Sequence, residues 1–418
     1  YNITKFCTIH TLCISLKILN FRSEAMAGKS DIKKQILEIE DVEELNTSEE
    51  NKAKIKEYME HYDKNEGSID NYVIKIKKCL DIVNQLDWKR TLKEKKIDIS
   101  KIRNILNERH YGMEKVKETI LESLAMRHFM KKNDNKTPII LCLAGSAGTG
   151  KTSIAEAIAE ALGKKFEKIS MSGVSTTFEL TGLTKGYTSA APGRIIKTLA
   201  KFGCDDPLIL LDEIDKVNQK KSEGDIEGVL LEILDPDQNK RFRDEFLELE
   251  YDLSNVMFLA TANNLSEVSE PLKSRMEIIY LEDYNLEQKV EIAKNYIVPS
   301  INKKIGSKLF FSDDILKYVI QNYTNEAGVR KLKTILMKIY GRIAKEWLEK
   351  KKKVNVTLEN IDSLICADKN PSISLKVNTE KSKIGEVMGM GVTSLGGRVM
   401  PIQTAVMPGD GKIIITGN

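Results

Sequence analysis

The sequence has little of what builds extracellular, metal-held or membrane-embedded proteins. Its 418 residues include only six cysteines, four histidines and two tryptophans. The cysteines (Cys7, Cys13, Cys79, Cys142, Cys204 and Cys366) are scattered with no CxxC pair. That excludes a disulfide scaffold and reads as reduced thiols of an intracellular protein. The dispersed histidines leave no zinc site. No stretch reaches the roughly 18–20 apolar residues needed to span a bilayer, so no membrane partner is expected. A dominant charge is lacking too: 65 Lys and Arg face 61 Asp and Glu, a net charge of +4. Such a balance argues against a dedicated nucleic-acid or membrane-surface protein. What is present is 41% apolar and 30% charged. At about 150 residues per domain, that suits two or three cores carrying long, solvated helices.

The chain starts at Tyr1, and residues 1–22 hold Lys5, Lys17 and Arg22 but no acid. Organelle targeting peptides have this texture; upstream sequence or a ragged start, with Met26 as a candidate start, is the favoured expectation. The expected compartment is the cytoplasm, with the mitochondrial or another organelle matrix as the alternative. Between 30 and 129, apolar residues recur three and four apart over 31–45, 49–64, 69–86, 102–108 and 113–129. This predicts helices of a solvated bundle or connector, with Ile69, Tyr72, Val73, Ile76, Leu80 and Val83 as one stripe.

The texture changes at Thr137. Continuous apolar runs at 139–144, 208–211 and 256–260 suit strands covered on both faces. They alternate with helical patterns at 152–162, 194–202 and 225–234, which predicts a doubly wound α/β domain. From 286 to about 367 the pattern is helical again, most clearly at 312–322 and 326–350, and Ser312 with Asp313 and Asp314 makes a good helix start. The lysine run at 350–353 reads as a solvated helix end, leaving weak nucleic-acid binding as a minor expectation. Residues 387–418 are β-prone and glycine-rich, and stop in mid-pattern.

Gly145-Ser146-Ala147-Gly148-Thr149-Gly150-Lys151-Thr152 fits G-x-x-x-x-G-K-[ST] in full. The glycines let several N–H groups turn inward as a nest for phosphate oxygens. Lys151 offers a point charge to the β- and γ-phosphates, Thr152 a hydroxyl to Mg²⁺, and the helix beginning there its positive end. The apolar run at 208–211 ends in Asp212 and Glu213, acids placed where α/β sheets bind ligands. Asp212 suits the hydration shell of Mg²⁺, and Glu213 suits orienting and deprotonating a water. ATP and Mg²⁺ are therefore the expected cofactors, and hydrolysis the expected reaction. Asn263, after the third run, can position that water. Arg275 and Arg330 follow in an order that suits stabilising transition-state charge, a role worth about 10³ to 10⁵ in rate for an arginine finger.

These residues carry a resemblance. The motif order resembles an AAA+ ATPase, and in detail the Lon protease family (endopeptidase La). The residues that carry it are His110-Tyr111-Gly112-Met113-Glu114-Lys115-Val116, Pro192-Gly193-Arg194-Ile195-Ile196, Leu211-Asp212-Glu213-Ile214-Asp215-Lys216 and Leu230-Leu231-Glu232-Ile233-Leu234-Asp235-Pro236-Asp237-Gln238-Asn239. Ser274-Arg275-Met276-Glu277, Glu326-Ala327-Gly328-Val329-Arg330 and Ala405-Val406-Met407-Pro408-Gly409 complete them, and the likeness runs from roughly Asn71 onward.

The resemblance implies a fold of α/β class with α-helical regions: an AAA+ module of P-loop parallel sheet plus helical lid, preceded by helices and followed by the start of a mixed α+β peptidase domain. Residues 1–29 stay unassigned, 30–109 match the helical end of a substrate-recognition domain, 110–285 the nucleotide-binding domain, 286–372 the lid and 373–418 the beginning of the peptidase. It places His110 and Tyr111 by the adenine, Lys151 and Thr152 at phosphate and Mg²⁺, and Asp212 and Glu213 as metal-shell acid and base. Asn263 becomes the water sensor, Arg330 the arginine acting within the subunit and Arg275 the finger reaching a neighbour, which implies a homohexamer ring. Tyr187, in Lys185-Gly186-Tyr187-Thr188, matches the pore-loop aromatic that grips unfolded or damaged protein substrates. The implied activity is that of an ATP-dependent serine protease whose unfoldase is present here; a non-proteolytic AAA+ remodelling ATPase acting on protein or nucleic acid is the alternative. The family usually has two prolines where Ser146-Ala147 stands, and a basic stretch where Leu180-Thr181-Gly182-Leu183-Thr184 stands. Ser394 and Lys412 match strand and turn positions, so no proteolytic residue is assigned.

Overall fold

A computed structural model describes residues 42–88, 98–132, 140–219, 224–351, 354–365, 384–393, 396–406 and 408. The expectations for 1–22, Met26, the 31–41 part of the first helix, Cys7, Cys13, Cys366, Lys352, Lys353, Ser394 and Lys412 lie outside them. The chain forms two compact units. The first takes the described residues within 1–103, 118–143 and 155–279, the second those within 104–117, 144–154 and 280–418.

In the first unit, β1 (Ile140–Ala144), β2 (Phe166–Ser170), β3 (Leu208–Asp212), β6 (Met257–Ala262) and β7 (Met276–Tyr280) form one sheet in the order β2-β3-β6-β1-β7. Between β3 and β6 the chain inserts a hairpin of β4 (Phe242–Asp244) and β5 (Leu249–Tyr251). The pairs β2–β3 and β3–β6 are parallel. Every residue of β1, β3 and β6 is buried, as an interior strand covered on both faces must be. Sequence pattern reveals these three and passes over the edges. In β2 only Ile169 is buried, and in β7 Met276 and Ile279 are, so their apolar residues are too few to stand out.

The helices before the sheet start and stop close to their periodicity. Ser48 caps Glu49–Lys64 through the Asn51 N–H, and Asp70 caps Asn71–Gln85 through the Tyr72 N–H. Ile69 therefore precedes its helix and is 92% exposed, outside the expected stripe. Nor are these two helices a solvated bundle. Ile55, Tyr58, Ile76 and Leu80 are fully buried in one core with Ile195, Leu211, Phe246 and Ala260, because their apolar faces need a surface to cover.

In the second unit, Leu286–Ile292, a π turn at Ala293–Ile297, Val298–Ile305, Asp313–Tyr323, Arg330–Lys350 and Ile361–Ile365 enclose a separate core around Leu316, Val319, Leu332, Leu336 and Ile339. Ser312 does cap its helix, accepting from Ile315 N–H. The expected helix at 326–350 begins instead at Arg330. Glu326 lies ahead of it and caps it, accepting from the Lys331 and Leu332 N–H groups at 2.7 and 2.8 Å. Strands β8 (Glu386–Thr393) and β9 (Gly396–Gln403) pair antiparallel.

Candidate functional site

The phosphate-loop motif leaves β1 and enters the helix Lys151–Leu162. Gly145, Gly148 and Gly150 all have positive φ, at 149°, 85° and 97°, which is what the glycines are there to allow. Lys151 is 8% exposed, and its ammonium donates to the carbonyls of Gly145 and Ser146 at 2.6 and 2.8 Å. The loop is braced from below by Thr149, which is fully buried. Its hydroxyl donates to the Ser146 carbonyl, and its own carbonyl accepts from the Tyr284 hydroxyl at 2.9 Å. Burial pushes Tyr284 up to about 12, which keeps it a neutral donor. Ala147 is exposed at the loop's tip and Thr152 is half-buried in the helix's first turn.

Two further expected residues meet this loop within the second unit. The Val329 N–H donates to the Gly148 carbonyl at 3.2 Å, and a Cβ on Gly148 would come within 3.2 Å of Arg330 Cβ. A Cβ on Gly328 would stand 2.1 Å from Gly148 C and O. The segment before Arg330 thus packs backbone to backbone on the phosphate loop, which explains Gly328. His110 lies 3.7 Å (Nδ1) from the position of a Cβ on Gly150. Its carbonyl accepts from buried Lys117, and its Nε2 is buried with no hydrogen-bond partner among the described residues. Burial drives its pKa down to about 4, with Lys117 and Arg109 adding to the fall against a backbone hydrogen bond with Ser153, so the ring is neutral. Neighbouring Tyr111 is half-buried against the helical core.

The acids lie in the first unit, both at the carboxyl end of β3 and beside the end of β6. Asp212 closes β3, whose Leu211 pairs with Ala260 of β6. The hydroxyl of Thr261, fully buried, donates to Asp212 Oδ1 at 2.6 Å and accepts from the Glu213 N–H at 2.9 Å. Lys168 Nζ stands 3.0 Å from Asp212 Oδ2. Glu213 itself has φ of 59°, a left-handed conformation that costs an ordinary residue about 1–2 kcal/mol. Asn263 is tied to the same cluster, because its N–H donates to Oδ1 of fully buried Asp215 at 3.1 Å. Thr261 and Asp215 were not singled out from sequence. A threonine in a strand reads as β propensity, and Asp215 as one more acid after the pair.

Arg275 caps the short helix Glu270–Ser274 and lies 3.1 Å from Asp235 Oδ2. The arginine that the resemblance makes a finger reaching a neighbour thus also has a partner within its own chain. The Asp237 N–H, helped by Arg275, holds the Asp235 carboxyl below its ordinary value. Tyr187 is 61% exposed on the loop between Gly182 and Gly193. Gly186 beside it has no steric need to be glycine, since a Cβ there meets nothing within 4 Å.

Comparison with known proteins joins these parts. Residues 141–284 match the ATPase family associated with various cellular activities (AAA), which carries nucleotide binding with it. Residues 303–356 match the Lon protease AAA+ ATPase lid domain, and 355–418 the Lon protease (S16) C-terminal proteolytic domain. The chain belongs to the Lon protease family. It is 38% identical over 410 residues to a Lon protease of Clostridium acetobutylicum, covering 92% of this chain and 51% of that protein. It is 44% identical over 324 residues to that of Malacoplasma penetrans (77% and 41%) and 41% identical over 345 to Lon protease 1 of Bacillus subtilis (80% and 44%). The chain spans about half the length of these Lon relatives. Its AAA+ module is the α/β and helical class expected, and β8 and β9 fall within the stretch that matches the proteolytic domain. Among the described residues no helix is long and apolar enough to cross a membrane.

Proposed function

We propose that this chain is the ATP-hydrolysing unfoldase and translocase of a Lon-type ATP-dependent serine protease, feeding unfolded, damaged or regulatory proteins to a peptidase domain. The observation that carries the reading is that the chain holds both a complete phosphate loop after β1 and a strained Glu213 at the end of β3, and that its later residues match both Lon-specific domains.

In this reading the N–H groups of Gly145, Ser146, Ala147, Gly148, Thr149 and Gly150 cradle the phosphates, and Lys151 exchanges its two carbonyl partners for phosphate oxygens. His110 Nε2 and Tyr111 flank the adenine. Glu213 takes a proton from the attacking water, Asn263 holds that water in line, and Arg330, seated against Gly148, meets the growing negative charge. Arg275 acts on the neighbouring subunit of a homohexamer. Thr152 and Asp212 would hold Mg²⁺, largely through ATP and water, where it supplies positive charge against the phosphate oxygens. Asp212 suits the ion, since it already takes an ammonium on Oδ2. Tyr187 wedges against an extended substrate chain. The thiols of Cys79, Cys142 and Cys204 are buried, and a cytoplasmic setting belongs to the same reading.

Glu213→Gln tests the ATPase: nucleotide should bind as before while hydrolysis is lost, and a variant that still hydrolyses ATP overturns the assignment. The protease is tested by ATP-driven degradation of an unfolded protein by the full-length product. Hydrolysis without degradation would leave a remodelling ATPase.

A further inference from the structure

The loop that carries Tyr187 is held from behind by an uncommon amount of polar structure. Its two ends meet one carboxylate, that of Asp244 at the end of β4. The Gly193 N–H donates to Asp244 Oδ2 at 2.8 Å, and a Cβ on Gly182 would stand 2.9 Å from Asp244 Oδ1. Asp244 Oδ1 also accepts from the Phe246 and Leu247 N–H groups at 3.0 and 2.9 Å. The middle of the loop is fastened by Lys185, 3% exposed. Its ammonium donates to the Tyr58 hydroxyl at 2.7 Å, the Phe246 carbonyl at 2.7 Å and Glu248 Oε1 at 2.9 Å. It also lies 4.6 Å from the Tyr58 ring centroid. Three donors meet three acceptors and none is left over. A second lysine, Lys75, donates to the carbonyls of Lys185 and Tyr187 at 2.9 and 2.5 Å.

Burying an ammonium is costly, and an apolar side chain of similar length would fill the same space more cheaply. What three directed hydrogen bonds add is orientation: they fix the backbone two residues from Tyr187 while its ring stays in solvent. The acceptors come from the Glu49–Lys64 helix and the β4–β5 turn, and Lys75 comes from the Asn71–Gln85 helix. We propose that Lys185 is a positioning residue for Tyr187, and that Lys185 and Lys75 together form a two-point tether by which the helices preceding the sheet hold the substrate-gripping loop at its working reach. The proposal rests on the reading of Tyr187 as the residue that pulls substrate. In this proposal each lysine acts through the loop backbone.

The test is ATP consumed per substrate molecule unfolded by the full-length protein, with a fluorescent protein bearing an unstructured tail as substrate. That ratio is blind to a fraction of misfolded enzyme, since unfolded molecules neither hydrolyse nor pull. Lys185→Met keeps the stem and removes the donors. It should raise the ratio about tenfold, as misplacement of a working group by a fraction of an ångström does, while hydrolysis without substrate continues. Lys75→Met, at a half-exposed site, should raise it in the same direction by less. Tyr187→Ala separates this proposal from the reading beneath it. If Tyr187→Ala pulls substrate like the wild type, the pore-loop reading fails. If Tyr187→Ala abolishes pulling while Lys185→Met keeps the wild-type ratio, the tether fails. Should Lys185→Met not fold, a wild-type ratio in Lys75→Met overturns the tether.

Discussion

Replacing Thr261 with valine isolates how the two acids proposed to serve hydrolysis are aimed. The exchange keeps the shape of a fully buried side chain and removes one hydroxyl, which donates to Asp212 Oδ1 at 2.6 Å and accepts from Glu213 N–H at 2.9 Å. An N–H left without its partner costs about 1–3 kcal/mol, and a hydrogen bond to a charged group about 1.5–3 kcal/mol. Both share one hydroxyl, so a combined loss of about 2–4 kcal/mol is expected, rather than the sum of the upper limits. That outweighs the roughly 1–2 kcal/mol by which Glu213 would gain on leaving its left-handed conformation, whose φ is 59°. Without the hydroxyl, Glu213 therefore relaxes and its carboxylate turns from the water it must take. Movement on the scale of 1 Å costs about a hundredfold in rate. Thr261→Val should thus lower kcat for ATP by about that factor with KM little altered, the signature of an interaction used in the transition state. Thr261→Ser, which restores the hydroxyl, should recover most of the rate. The assay is steady-state phosphate release beside a nucleotide-binding titration and a thermal melt. Wild-type kcat in Thr261→Val, or a loss confined to nucleotide affinity, refutes the reasoning.

Three other outcomes follow from the same geometry. Gly328→Ala places a Cβ 2.1 Å from two backbone atoms of Gly148, so the phosphate loop must shift. Stability should fall by about 1–3 kcal/mol and nucleotide affinity by about tenfold, and unchanged affinity in a binding titration argues against the contact. His110 has its pKa driven down from 6.5 to about 4 by burial, so the unfolded chain takes up the proton first. The stability this gives the fold, about 3 kcal/mol, is present above pH 6.5 and lost as pH falls toward 4. Melts of wild type and His110→Gln should therefore diverge as the medium is acidified across that window, and parallel curves would discard the buried neutral ring. Arg275→Ala breaks a partly exposed ion pair with Asp235, worth at most about 1 kcal/mol, yet should abolish hydrolysis. Mixing Arg275→Ala with Glu213→Gln subunits should restore part of the rate, since one supplies the finger and the other the base; no recovery places Arg275 in its own subunit's chemistry.

Much of this architecture is legible in order of how local its cause is. The helices Glu49–Lys64 and Arg194–Phe202 end where their periodicity and caps end, because capping and amphipathic pattern are read within a few residues. The buried interior strands stand out as apolar runs. The edge strands β2 and β7 do not, nor do β4 and β5 at three residues each. Chemistry follows the same rule. Lys151 and Glu213 belong to short motifs and can be named from sequence. Thr261 and Asp215 act on residues 48 positions away, and Lys185 on a tyrosine 127 positions away. Their meaning exists only once the sheet and its insertion have formed. Glu326 shows the limit within a local pattern: it fits a helical period, yet serves the helix from outside by capping it.

The same contrast separates two ways of holding a catalytic group still. Around the phosphate loop the chain uses backbone against backbone: Gly148 and Gly328 leave no room for a side chain, and Val329 N–H donates to Gly148. Such a contact is short and stiff, so the start of the Arg330–Lys350 helix must follow any shift of the loop that cradles phosphate. The acids are aimed instead by one threonine hydroxyl, and the Tyr187 loop by two lysines. Side-chain hydrogen bonds break and re-form more readily than packed backbone. The phosphate-loop motif is thereby coupled closely to the start of the Arg330–Lys350 helix, while the groups proposed to hydrolyse and pull rest on side-chain hydrogen bonds. Substitutions at glycine in the first set should accordingly move binding and stability together, and substitutions in the second should move rate or coupling first.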